Sequence, residues 1–262
     1  LAPPPLAPPV AVLITGAPGS GKEVVARSLH NRSKRSGGPF VAVNCATLRP
    51  DRLEVELFGT EAGAEGPDSP SKVGTLEQAH GGTLLLDEVA DMPLETQGKI
   101  VRVLQDQTFE RVGGKHMVEV DVRIIASTNR DLAAEMTAGR FRQDLFYRLN
   151  VVPIRVPPLR ERREDIALLA RYFMTHSAEV AGLPPRQLGD DAVAVLQAYA
   201  WPGNIRQLRN VTDWLLIMAP GEVGSLIQAD MLPPDIGAVA PSPQRGDGIA
   251  EMMSLPLRDA RE

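Results

Sequence analysis

The run VLITGAPGSGKEVV, Val12 to Val25, has residue types that do phosphate chemistry. Gly16, Gly19 and Gly21 leave main-chain N–H groups free to converge on phosphate oxygens, and a helix starting behind them adds positive potential. Lys22 then supplies a point charge for the β- and γ-phosphates. The general pattern asks for a hydroxyl after the lysine to meet magnesium, and this chain has Glu23 there. A second stretch, TLLLDE, ends an apolar run in Asp87 and Glu88. Asp87 suits Mg²⁺ held through water, and Glu88 suits orienting or deprotonating an attacking water. A third, STN, puts Ser127, Thr128 and Asn129 where polar groups reach a γ-phosphate or that water. The competing readings are a plain glycine-rich turn, two exposed acids capping a strand, and ordinary strand-end polar chemistry.

These residues need a scaffold that brings three strand ends together. VAVLIT, FVAVNC, GGTLLLDEV, Val122–Ser127 and LNVVPIRV read as buried strands. Helical patterns lie between them: GKEVVARSLHNRS with Val24, Val25, Ala26 and Leu29 spaced for one face, TLRPDRLEVELFG, and PLETQGKIVRVLQDQ with Pro93 at its start. A hairpin is expected around Gly113–Gly114. Strands separated by helices predict an α/β fold with a parallel sheet covered on both faces. After Leu159 the pattern turns helical, with Ile166, Leu169, Ala170 and Phe173 on one face, a second helix over Asp191–Tyr199 and a third from Ile205 to Met218 after the WPGN break. The expected organisation is a proline-rich linker or truncated edge at 1–9, a nucleotide-binding subdomain at 10–159, a helical lid at 160–234 and an interdomain tail at 235–262.

Composition narrows the function. The 262 residues are 43% hydrophobic and carry a net charge of −5, so the chain has no general attraction to nucleic acid. The single cysteine, Cys45, forbids an intramolecular disulfide and fits a reducing compartment; it reads as a small buried thiol at a strand end. The four histidines lack metal-ligand spacing, and no apolar run reaches the roughly 20 residues of a membrane span.

The motifs GAPGSGKE, VAVNCATL, ELFG, AHGGTLLLDEV, RVGG, VRIIASTNRDL, FRQDLFYRLNVVPIRVPPLRERREDI and WPGNIRQLRN occur in that order over Val12 to Leu232. Together they resemble the AAA+ ATPase domain of NtrC-type bacterial enhancer-binding activators. MMSLPLRDARE resembles the lead-in to the Fis-type DNA-binding domain of the NtrX branch. The resemblance implies an AAA+ P-loop core plus a small helical lid, binding ATP or ADP with Mg²⁺. The family's own phosphate loop carries glutamate after the lysine, so Glu23 is no lesion. The nucleotide segment implied is Gly16, Ala17, Pro18, Gly19, Ser20, Gly21, Lys22, Glu23 and Val24, with Asp87 as metal ligand. Glu88 is the implied water-activating glutamate, with Asn44 its partner in a switch, and Thr128 and Asn129 are the candidate polar groups at the γ-phosphate or the water. Arg142 and Arg148 resemble arginine fingers that enter a neighbour's site, and Arg206 the lid arginine that meets the γ-phosphate. The implied assembly is a homo-oligomeric ring such as a hexamer, or a dimer when inactive. The implied setting is cytoplasmic, in a two-component system of nitrogen regulation. Partners would be RNA polymerase, promoter DNA through a C-terminal domain outside this sequence, and a sensor kinase through a receiver domain outside it.

Two departures matter. The family's GAFTGA tip, whose Phe and Thr grip sigma-54 polymerase, aligns with GAEGPD, Gly63 to Asp68, so an apolar anchor is replaced by Glu65. The family segment that encloses adenine aligns only with the proline-rich start, which implies a weakened adenine pocket. The expectation is a domain that binds and hydrolyses ATP without conventional sigma-54 activation. The alternative is a nucleotide-sensing oligomerisation module with negligible hydrolysis that controls DNA binding.

Overall fold

The computed structural model describes residues 10–64, 66, 68–184, 186–219 and 225–237. Glu65 and Pro67 of the tip, the proline-rich start and the MMSLPLRDARE segment lie outside the described residues. Two compact units form: one from the described residues up to Glu161 together with Gly203–Arg206, the other from Arg162–Pro202 and Gln207 onward. The sequence reading runs the lid unbroken over 160–234; by contact the second unit begins at Arg162, and Gly203–Arg206 group with the first.

In the first unit the order is β1 (Val12–Gly16), α1 (Lys22–Asn31), β2 (Phe40–Asn44), α2 (Pro50–Phe58), β3 (Gly59–Thr60), β4 (Lys72–Val73), α3 (Thr75–Gln78) and β5 (Thr83–Asp87). Then come α4 (Leu94–Asp106), β6 (Thr108–Glu110), β7 (Met117–Glu119), β8 (Arg123–Thr128), α5 (Leu132–Thr137), α6 (Gln143–Leu149) and β9 (Val152–Val156). Five strands make one sheet in the order β2-β5-β8-β1-β9, and every pairing in it is parallel.

Strand alternation sorts the core into two layers. Leu13, Leu84, Leu86, Ile124 and Ala126 point to one face, under Leu53 and Leu57 of α2, Ile100 and Leu104 of α4, and Leu145 and Leu149 of α6. Val12, Ile14, Leu85 and Ile125 point to the other, under Ala26, Val25 and Leu29 of α1. The central strands β1, β5 and β8 therefore have no polar face, which is why they read as continuous apolar runs. The expectation of a fully buried FVAVNC strand is corrected: β2 is at the sheet edge, and Ala42 is exposed. Val24 is likewise 71% exposed. The inner stripe of α1 is Lys22, Ala26 and His30 at i, i+4 spacing, and the His30 ring bonds Thr83 Oγ1 at 3.0 Å.

The expected Gly113–Gly114 hairpin is present as antiparallel β6 and β7. Its loop backs onto the base of the GAEGPD insertion: a Cβ added at Gly113 would meet Ala64 Cβ at 2.7 Å. The Arg111 fork donates to both oxygens of Glu77 (2.8 and 2.7 Å) and to Glu61 (3.3 Å), tying the two insertions at their roots.

The second unit contains α7 (Glu164–Ala181), α8 (Asp190–Ala198), α9 (Asn204–Met218), whose first residues Asn204–Arg206 belong to the first unit, and the short α10 (Pro234–Gly237). The inward stripe of α7 is Ile166, Ala170, Met174 and Ala178 rather than the expected set with Leu169 and Phe173. Leu169 and Phe173 lie beside that row and are half-buried. Trp201 is buried and donates its indole N–H to Leu196 O at 2.7 Å. Among the described residues no helix is long and apolar enough to cross a membrane.

Candidate functional site

The carboxyl ends of β1, β5 and β8 converge, as open parallel sheets require of a ligand site. The turn after β1 is built by glycines at close approach. A Cβ at Gly16 would sit 2.8 Å from Val156 O, and one at Gly19 2.4 Å from Gly203 O, with Gly19 itself at φ +71°. Gly21, at φ +100°, precedes the helix in a left-handed conformation that side chains avoid. The cradle is held from behind by Asn204, whose amide donates to Pro18 O at 2.9 Å and accepts from Leu159 N–H at 2.7 Å. Ile205 and Arg206 N–H groups face Gly19 O at 3.0 and 3.4 Å. Sequence reasoning takes WPGN only as a helix break; a left-handed Asn204, at φ 51°, doing this bonding has no signature in the sequence.

Lys22 Nζ lies 3.1 Å from Gly16 O and 3.1 Å from Glu88 Oε1. Glu88 has φ 53°, ψ 51°, a sparsely populated conformation for a side-chain-bearing residue. Such backbone is found where a structure forces it, often at functional sites. Here it turns the carboxylate out of the strand line, and its second oxygen accepts from Asn129 N–H at 3.0 Å. Asp87 accepts from Asn44 Nδ2 at 3.1 Å and from the Ser127 hydroxyl. The sequence reading pairs Asn44 with Glu88; the structure puts its amide on Asp87 instead, because β2 and β5 run in register with Asn44 opposite Asp87. Thr128 turns away and accepts from Arg130 N–H at 3.1 Å, while Asn129 meets the acid pair through its main chain.

The acids leave an electrostatic mark. Burial, followed by the nearby charges of Asp87, Asp91 and Glu88, pushes the Cys45 thiol up to about 12. Cys45 follows β2 directly and is buried, as expected of an inert thiol at a strand end.

The remaining candidates lie elsewhere. Arg206 is exposed at the edge of the cradle. Arg142 and Arg148 are exposed on either end of α6. The Arg142 fork is parked on Asp144 at 3.0 and 2.7 Å, and that contact holds the Asp144 carboxyl below its ordinary range. Glu23 is exposed and engages Arg27 at 3.2 Å, one turn on. Among the described residues no group of three metal-binding side chains occurs. Asp87 fits a magnesium ion whose other ligands are phosphate oxygens and water, the mode this ion favours.

This sheet order, the glycine turn after β1, and the acidic pair closing β5 define an AAA+ P-loop NTPase fold with a helical lid. Residues 6–155 match the sigma-54 interaction domain family and residues 160–248 the AAA+ ATPase lid domain. The chain belongs to the sigma-54 interaction domain family. It is 55% identical to the nitrogen assimilation regulatory protein NtrX of Azorhizobium caulinodans over 96% of this chain and 55% of that protein. It is 50% identical to the transcriptional regulator NtrC of Klebsiella pneumoniae over 81% of this chain and 45% of that one. The crystal structure of Brucella abortus NtrX in complex with ATP matches with TM-score 0.81 and 55% identity, over 95% of this chain and 54% of that one. The chain thus spans about half the length of the curated relatives it matches.

Proposed function

We propose that this chain is the ATP-binding and ATP-hydrolysing portion of a bacterial transcriptional regulator of the NtrC/NtrX type. One observation carries the reading: Lys22, Asp87 and Glu88 meet at a single sheet edge beside the glycine cradle. The ATP complex of the Brucella abortus relative supports the choice of nucleotide.

The roles follow from the positions. Main-chain N–H groups of the Gly16–Val24 turn, Pro18 excepted, hold the phosphates and Lys22 neutralises the β- and γ-oxygens. Magnesium supplies charge neutralisation across the phosphates when it is bound with them, and Asp87 with water would hold it. Glu88 takes the proton of a water whose oxygen bonds to the γ-phosphorus as the bond to the β-phosphate oxygen breaks. Asn129 N–H orients Glu88, and Asn44 orients Asp87. Thr128 shapes the turn that presents Asn129. Arg206 faces the γ-phosphate side of the cradle. Arg142 and Arg148 have no ligand role on their own subunit and serve as fingers in a neighbour's site within a ring. DNA, RNA polymerase and a sensor kinase are the partners of the whole regulator.

The replacement of an aromatic tip by Glu65 argues that ATP use is not coupled to sigma-54 polymerase in the usual way. An open-complex assay with the full-length regulator checks this, and ATP-dependent promoter melting sinks it. Phosphate release by the purified chain, at concentrations that permit rings, tests the main reading. Release lost in both Lys22→Ala and Glu88→Gln supports it. Tight ATP binding without release favours a nucleotide-sensing module, and no binding overturns both.

A further inference from the structure

We infer that Ser127 is a positioning residue of the nucleotide site, fixing the Asp87 carboxylate for a magnesium ion; this rests on the hydrolysis reading above. The two flanking strands serve Asp87 symmetrically. Asn44 stands opposite it on β2, and on β8 Ser127 follows Ala126, the partner of Leu86. Alternation places Asp87 and Ser127 on the same face as Leu85 and Ile125, the face covered by α1 and its Lys22. Asn44 Nδ2 donates to one carboxylate oxygen and the Ser127 hydroxyl to the other. A carboxylate accepts about two hydrogen bonds per oxygen, so each oxygen keeps a lone pair for water or metal. One donor on each oxygen also stops the group from rotating without losing both.

Ser127 is fully buried, and the bond its hydroxyl makes is the one to Asp87. Its neighbours in the STN run do different work: Thr128 bonds a turn N–H, and Asn129 reaches Glu88 through its main chain. Only Ser127 touches Asp87 with its side chain from this strand. Residues that orient a metal-binding side chain typically change metal affinity by about 10–100-fold when removed.

The test compares fluorescent ATP-analogue binding to the purified chain with magnesium in excess and with EDTA, for the wild type, Ser127→Ala and Ser127→Thr. The expected result is that Ser127→Ala loses about ten-fold of the magnesium-dependent gain in affinity. Affinity in EDTA stays within about two-fold, because the cradle itself is untouched, and Ser127→Thr, which keeps the hydroxyl, retains the gain. An unchanged magnesium gain in Ser127→Ala overturns the inference. So does an equal loss with and without magnesium, which marks a purely structural role. If Ser127→Ala shows no cooperative thermal transition, Ser127→Cys replaces it: nearly the same volume, a weak donor, the same expected direction. A wild type that binds no nucleotide fails the proposed function itself; a wild type that binds while the variants match it fails only this inference.

Discussion

The Lys22 ammonium lies 3.1 Å from a Glu88 carboxylate oxygen, with side chains only 7% and 16% exposed. The cation proposed to meet a nucleotide and the carboxylate proposed to activate water are thus each other's counter-ion. In the proposed reaction a triphosphate competes with Glu88 for Lys22, which links phosphate binding to release of the carboxylate that acts as general base.

Glu88→Gln should therefore bind ATP at least as tightly as the wild type while turnover falls about 10²–10⁴-fold, the usual worth of a general base. Lys22→Ala should lose binding altogether. Equilibrium binding of a fluorescent analogue alongside phosphate release separates the two, and a Glu88→Gln protein with wild-type turnover would remove Glu88 from the chemistry.

The exposed Arg142 is parked on Asp144 and, among the described residues, bonds neither Asp87 nor Glu88. Arg142→Ala and Glu88→Gln proteins should each be inactive, yet mixing them should restore measurable phosphate release. In the mixture some sites combine an intact Glu88 with a neighbour's intact Arg142. A mixture as inactive as its components contradicts action across an interface.

Gly19 separates close approach from backbone strain. Its φ is +71° and an added Cβ meets Gly203 O at 2.4 Å, whereas Gly139 has φ +70° with nothing within 4 Å. Gly139→Ala should cost only the strain of a left-handed alanine, about 1–3 kcal/mol. Gly19→Ala should cost more and weaken nucleotide binding besides. Denaturant titration of both variants checks the order, and equal losses would mean that the cradle yields freely.

Cys45 reports the acid cluster without any ligand. Its thiol is raised from an ordinary 9.0 to about 12, first by burial and then by Asp87, Asp91 and Glu88. Since the thiolate is the nucleophile, iodoacetamide at pH 8 should label the native chain at least ~1,000-fold more slowly than the unfolded one. Because the folded state holds the proton more tightly, this group's contribution to stability is complete below about pH 9. It declines as pH climbs towards 12. Labelling of native Cys45 at the unfolded rate would show the burial to be wrong.

Much of this arrangement was legible in the chain. Val12–Gly16 and Thr83–Asp87 are buried on both faces, so their apolar runs are unbroken and the residues that follow them stand out. The glycine turn and the acidic pair are local in sequence, and local spacing is what a sequence displays. The misreadings concern relations between distant segments. Asn44 pairs with Asp87 because of a strand register set 43 residues away, and the parallel sheet hides that register from either segment. Val41 and Val43 made β2 look central, although only one neighbouring strand covers it. Asn204 supports a loop 186 residues earlier through a left-handed turn that no periodicity marks.

The most direct test of the central claim is a crystal structure of this chain with a non-hydrolysable ATP analogue and magnesium. The account predicts the triphosphate in the Gly16–Lys22 turn, Lys22 moved from Glu88 to the β- and γ-phosphates, Asp87 facing the metal, and Glu88 facing the terminal phosphate. A nucleotide bound away from that turn, or Lys22 still paired with Glu88 while the nucleotide is in place, would contradict it.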